Sequence, residues 1–212
     1  MLRYDVKVGR PKVHDEETRA ALRAAAEQLV AEGGAAAFSV RAVAQRAGTS
    51  TRAVYTLFGS KEGLLVDALA QEAFTFLADG MDELVETDDP AADLVEVGTS
   101  VFRRLVLEHP ALYRIAFQRI VPTFQAGPEL TAARERSLAG LLAKVQRVAD
   151  GGLLGNTSVR DGAVAYNAMA EGLANSELRG TILRILPEGD EERAWRDSLT
   201  ALVRGFNSNG PR

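Results

Sequence analysis

Between Ser39 and Lys61 the side chains suited to chemistry are chiefly hydroxyl donors and cations. Ser39, Ser50, Thr51, Tyr55 and Thr56 supply the first kind; Arg41, Arg46, Arg52 and Lys61 supply the second. No carboxylate lies between Val40 and Lys61. N–H and O–H donors without a paired base or nucleophile hold anions; they do not break bonds. A guanidinium fork matches the O6/N7 edge of guanine, and hydroxyl and ammonium groups hold backbone phosphates. The chemistry implied is recognition of double-stranded nucleic acid.

Other chemistry lacks the residues it needs. His14 and His109 are far apart, with no ligand-spaced partner, and His109 before Pro110 reads as a helix-junction residue. There is no cysteine, so neither a disulfide framework nor a thiolate metal site is expected. Gly151-Gly152-Leu153-Leu154-Gly155 has no Lys-Ser/Thr after it and no strand before it, so it is not a phosphate loop. Gly59-Ser60-Lys61 caps a helix and has no α/β context for a nucleophile elbow. The expectation is no catalytic residue, no metal and no cofactor, with a helical enzyme as the remote alternative.

The elements that must position the donors can be read from periodicity. Val40, Val43, Ala44 and Ala47 recur at i, i+3, i+4 and i+7, a short amphipathic helix. Ala47-Gly48 breaks it, and Ser50 or Thr51 caps the next helix. That helix buries Val54, Leu57 and Phe58 and exposes Thr51, Arg52, Tyr55 and Thr56. Two short helices joined by a glycine-containing turn form a helix-turn-helix, whose second helix fits a major groove. A preceding helix, capped near Asp15, has a stripe of Leu22, Ala25, Ala26, Leu29 and Val30, ends at Gly33-Gly34, and completes a three-helix bundle.

Charge agrees locally. Residues 1–61 hold ten Lys+Arg against six Asp+Glu, a net +4, whereas the rest of the chain is −8 and the whole −4. A basic end on an acidic body implies an anionic partner at that end alone. Residues 1–14 read as a flexible basic arm, with Arg10 beside Pro11 a candidate for the minor groove. The first thirty residues lack an apolar signal core, and no apolar run approaches the ~20 residues of a membrane helix. A cytoplasmic protein with no membrane partner is expected.

The remainder reads as helix throughout: Lys61 to about Glu86, 91–108, a restart at His109-Pro110 running to Val121, 129–149, 159–185, and Glu191 to about Phe206. The fold class predicted is all-α with about nine helices. Residues 15–60 form the DNA-binding domain and 61–212 a helical ligand-binding and dimerisation domain.

These residues resemble the TetR/AcrR family of bacterial transcriptional regulators. The likeness covers residues 15–65: Thr18-Arg19 through Ala24-Ala25 and Gly33 resemble the family's first helix. Ser39-Val40, Val43-Ala44, Ala47-Gly48, Ser50, Val54-Tyr55, Phe58, Ser60-Lys61-Glu62 and Leu64-Leu65 fit its helix-turn-helix. Thr49, Arg52-Ala53 and Leu57 depart from the common pattern on or near the reading helix, and so bear on which operator is read. Further on, His109-Pro110-Ala111-Leu112-Tyr113-Arg114 with Phe117, and Gly172 to Gly180, resemble a subgroup with a Trp-His-Gly motif, here Ala170-Glu171-Gly172. The resemblance implies a repressor of a palindromic operator, released by a small hydrophobic ligand; the alternative is a DNA-binding regulator without an effector.

Three groups of residues are expected to act. Ser39, Arg41, Tyr55 and Lys61 hold phosphates, and Ser50, Thr51, Arg52 and Thr56 lie on or beside the reading helix. Phe102, Tyr113, Phe117, Tyr166, Asn167 and Met169 line an apolar cavity, with Glu171 a further polar group. A homodimer forms through the last two helices, where Ala163, Ala170, Gly172 and Ala174 permit close approach and Trp195, Leu199, Leu202, Val203 and Phe206 form an apolar stripe. Such a dimer matches the two-fold axis of a palindrome.

Overall fold

The computed structural model describes residues 12–61, 63–117 and 126–207. All regular structure in these residues is helical. Helix α1 spans Lys12–Ala37, α2 Val40–Arg46 and α3 Thr51–Phe58. The α1 stripe of Leu22, Ala25, Ala26, Leu29 and Val30 is buried against Val40, Val43 and Ala44 of α2 and Val54 of α3, as the periodicity requires. α1 starts three residues before the expected cap and runs past Gly33-Gly34. A mid-helix glycine costs only about 1 kcal/mol relative to alanine, and the helix continues through Ala35–Ala37 to the buried anchor Phe38.

The Ser60 hydroxyl accepts the Gly63 N–H at 2.9 Å, capping the next rod. This rod is not the uniform α-helix predicted from Lys61 to Glu86: a wide π-helical stretch, Gly63–Ala68, precedes α4, Leu69–Glu83. Asp89 then caps α5, Pro90–Glu96, accepting from the Ala91 and Ala92 N–H groups. A second π-helical stretch, Val97–Phe102, leads into α6, Arg103–Glu108. His109 breaks the chain before α7, Pro110–Phe117, as expected from its proline. α8 spans Pro128–Asp150, α9 Val159–Leu178, α10 Ile182–Ile185 and α11 Glu191–Asn207. The single helix predicted over 159–185 is therefore two, because Gly180 takes a left-handed φ of +65°. This gives ten helical rods among the described residues, where nine were expected.

α4 packs along α8 and against α7, and α11 packs against α9 and α5. A part-buried polar cluster ties α6, α9 and α11. The Arg103 guanidinium donates to Glu177 at 2.8 Å, and the Trp195 indole N–H donates to the same carboxylate at 2.8 Å. Satisfying that carboxylate twice is what makes its burial tolerable.

The residues assigned to the dimer interface are instead core. Trp195 and Leu199 are fully buried, Val203 and Phe206 nearly so, and Ala163, Ala170 and Ala174 likewise. The α11 stripe faces α9, α5 and the second π-helical stretch of its own chain, and each large side chain so buried contributes about 2 kcal/mol. Of the assigned stripe only Leu202 is half-exposed. Gly172 is exposed, with open space beside it.

Candidate nucleic-acid interface and helical cavity

Two caps and a glycine place the donors of the interface. Ser39 caps α2, its hydroxyl accepting the Ala42 N–H at 3.1 Å, and Ser50 caps α3, accepting the Ala53 N–H at 3.3 Å. Each cap occupies a lone pair and leaves the O–H free to donate to a phosphate. Gly48, at φ +67°, makes the turn between the helices. Val54 is buried, and Leu57 and Phe58 are half-buried. Thr51, Arg52, Tyr55 and Thr56 therefore share the exposed face of α3 at i, i+1, i+4 and i+5. Tyr55 is 52% exposed, so its ring and hydroxyl face outward and do not belong to the core.

Of the four cations, Arg46 is neutralised by Glu32 at 2.8 Å. Arg41 and Arg52 are exposed, with no ion pair to a described residue. Lys61 is exposed, its ammonium 5.5 Å from the centre of the Phe38 ring. The arrangement presents hydroxyl donors, two exposed guanidinium groups with no ion pair to a described residue, and an ammonium around one protruding helix, which suits a phosphate-lined groove. Arg10 lies outside the described residues.

A second feature lies deeper. α4, α7, α8, α9 and the Val97–Phe102 stretch line a half-open cavity of about 740 Å³, within the usual range for a small-molecule site. Phe102, Phe117, Tyr166 and Asn167 line it, together with Phe74, Leu77, Met81, Leu141 and Ala163. Tyr113 and Met169 do not. Tyr113 is fully buried behind the wall, stacked on Phe117 at 5.3 Å, and burial pushes its hydroxyl up to about 12. Met169 is half-buried against the core rather than the cavity. The Tyr166 hydroxyl donates to the Leu94 carbonyl at 2.9 Å, so only its ring is offered to the cavity. Asn167 donates to Glu171 at 2.5 Å, and both line the wall.

Sequence reasoning missed Arg134 and Arg160, which also line the cavity. A signal for them existed. Arg134, Ser137, Leu138 and Leu141 on α8, and Arg160, Ala163, Val164 and Asn167 on α9, both recur at i, i+3, i+4 and i+7.

Among the described residues no helix is long and apolar enough to cross a membrane, and no group of three or more His, Cys, Asp or Glu could hold a metal ion.

Comparison with known proteins fits this geometry. A family model described as "Bacterial regulatory proteins, tetR family" matches residues 22–68, and one described as "Tetracyclin repressor-like, C-terminal domain" matches residues 98–202. The HTH-type transcriptional regulator Rv1816 of Mycobacterium tuberculosis is 27% identical over 137 residues, 63% of this chain and 58% of that protein, so the match spans less than two thirds of the relative's length. The solved TetR family regulator PfmR of Thermus thermophilus is 26% identical, with a TM-score of 0.60 over 86% of this chain and 97% of its own. The regulator FadR of Bacillus subtilis, solved in complex with stearoyl-CoA, shares the fold at 17% identity, with a TM-score of 0.69 over 88% of this chain and 98% of its own. With its helix-turn-helix at one end and its regulatory-type helical body at the other both matched, the chain belongs to the TetR family of DNA-binding transcriptional regulators.

Proposed function

We propose that the chain is a homodimeric repressor that holds a palindromic operator through residues 39–61 and releases it when a small, largely apolar ligand fills the cavity. The observation that carries this reading is the position of Phe117. It lines the cavity from α7, and α7 follows His109, which is hydrogen-bonded to Glu27 of α1 at 2.8 Å. A ligand pressing on that wall therefore acts on a helix joined to the DNA-binding bundle. Residues 15–60 serve as the DNA-binding unit and 61–212 as the regulatory unit. The likeness of 109–117 and 172–180 to the Trp-His-Gly subgroup supports placing the chain there, although Ala170 and Glu171 supply neither the aromatic nor the imidazole group.

The dimer uses faces of α9 and α11 other than the buried stripe. Gly172 on α9, and Ala201 and Gly205 on α11, are exposed and small enough for helices of a second copy to approach closely.

The test is fluorescence anisotropy on a labelled operator selected from random DNA, in a screen of apolar small molecules. An active compound should release wild-type protein. It should not release Ala163→Phe, which fills the cavity, when circular dichroism shows that variant folded. Release of both proteins alike would place the effector elsewhere.

A further inference from the structure

The cavity's shape and charges restrict what it can hold. Its α8 and α9 walls are antiparallel, with Gly162 of α9 close against Val145 of α8. Along α9 the lining runs from Arg160 to Glu171, eleven residues or about 16 Å at the helical rise. The space is thus a furrow longer than one ring system, with apolar walls and charged groups only toward its ends.

Those ends differ. Arg134 lies over Phe74, its guanidinium 5.3 Å from the ring centre, and Phe74 packs on Phe117 at 5.5 Å. At this aromatic end the carboxylate of Glu171 also lines the wall, held by Asn167. An added anion at this end would meet the Glu171 carboxylate as well as Arg134. Arg160 stands at the other end, in the first turn of α9. It is exposed at the rim and has no carboxylate partner among the described residues. The positive end of the α9 dipole lies here too, and the Asp161 carboxylate of the same turn is held by the Ser158 hydroxyl at 2.6 Å.

Resting on the effector reading above, we infer that the ligand is a single-chain anionic amphiphile: its acidic head meets Arg160 at the rim, and its alkyl chain lies along the furrow toward Phe102 and Phe117. A guanidinium fork favours a carboxylate or phosphate over a hydroxyl, and the apolar walls favour an alkyl chain over a polar one. Because Arg160 is at the rim, a free acid or an acyl chain on a larger anionic carrier meets the same chemistry. The chain's far end reaches Phe117, so length matters: a short chain binds the head site without touching α7.

The test uses the intact protein and its operator, with dodecanoate, dodecanol, dodecyltrimethylammonium, octanoate and dodecanoyl-CoA below their micelle-forming concentrations. Binding is measured by calorimetry and operator release by anisotropy. Dodecanoate should bind more tightly than dodecanol, the cationic probe should bind weakest, and octanoate should release the operator less well than dodecanoate. Arg160→Gln should weaken dodecanoate about ten-fold and leave dodecanol unchanged, while Arg160→Lys restores part of the loss. Dodecanoyl-CoA binding at least as tightly as dodecanoate identifies the carrier-bound form; dodecanoate binding alone identifies the free acid. Equal binding of dodecanol and dodecanoate, no effect of Arg160→Gln, or no binding by any probe overturns the inference. Operator release by dodecanol as effective as by dodecanoate would remove the anionic class and keep the effector reading. Tight dodecanoate binding without operator release would do the reverse.

Discussion

His109 Nδ1 and Glu27 Oε1 lie 2.8 Å apart although 82 residues separate them in sequence. The bond joins the DNA-binding bundle at α1 to the break between α6 and α7. The imidazole also sits edge-on to Phe76 of α4, ring centres 5.4 Å apart. Helices α1, α4, α6 and α7 thus meet at one side chain, and α7 ends at the cavity wall.

Removing this link should weaken communication rather than ligand binding. For His109→Ala the effector should bind the free protein as it binds wild type, while the fold-change it produces in operator affinity shrinks. A double-mutant cycle with Glu27→Ala should show a coupling of about 1 kcal/mol. Titrating operator with and without effector gives the fold-change directly. An unchanged fold-change would show that the link plays no part in release.

The same corner makes stability depend on pH through Glu72. Burial raises its carboxyl above the ordinary 4.5; the Glu27 carboxylate adds to this, while Arg23 and His109 oppose it. A carboxyl raised in the folded state binds its proton more tightly there than in the unfolded chain. Its contribution to stability is full below the unfolded value and is lost as pH rises through the folded one. Glu72→Gln should therefore raise the melting temperature at neutral pH and change it little below about pH 4. A melting curve that is lower at neutral pH would mean that the carboxylate is stabilised, not penalised, at this site.

On the reading helix, Arg52 and Lys61 should separate specificity from affinity. Arg52→Ala should relax preference at one base position of each half-site, costing about 1–3 kcal/mol of discrimination. Lys61→Ala should weaken all sequences alike and reduce the salt slope by about one unit. Selection from random DNA followed by salt titration measures both. Loss of specificity in Lys61→Ala, or none in Arg52→Ala, would reverse the roles.

The dimer faces make an opposing pair of expectations. Ala201→Glu with Gly205→Glu should give a folded monomer in sedimentation that no longer holds the operator. Phe206→Ala should instead destabilise the protomer by about 3 kcal/mol, because Phe206 is only 5% exposed within its own chain. Denaturant unfolding at several protein concentrations distinguishes the two effects.

These elements show what local sequence can and cannot disclose. The helix-turn-helix was legible because its determinants lie within a few residues: the Ser39 and Ser50 caps, the Gly48 turn and the Val40-Val43-Ala44 stripe all act on neighbours. The stripe of Trp195, Leu199, Val203 and Phe206 was legible as apolar but not as to partner. Periodicity says that a face is buried and not whether its own chain or a second copy buries it. The π-helical stretches at Gly63–Ala68 and Val97–Phe102 leave no composition signal. Of the six aromatic, amide and thioether residues expected around the cavity, Tyr113 and Met169 lie behind or beside the wall, since helical spacing fixes a direction but not which layer is reached. Arg134 and Arg160 share the periodicity of the apolar wall, but an exposed arginine on a helix usually faces only solvent.

Linkage offers the most direct measurement. If the cavity ligand and the operator compete through two conformations, each must weaken the other by the same factor. The affinity of an effector found by operator release should be measured by calorimetry for the free protein and for the operator complex. The account predicts that an effector lowering operator affinity ten-fold binds the complex ten-fold more weakly than the free protein, a coupling of about 1.4 kcal/mol. Equal affinity for both forms, together with release of DNA, would contradict it.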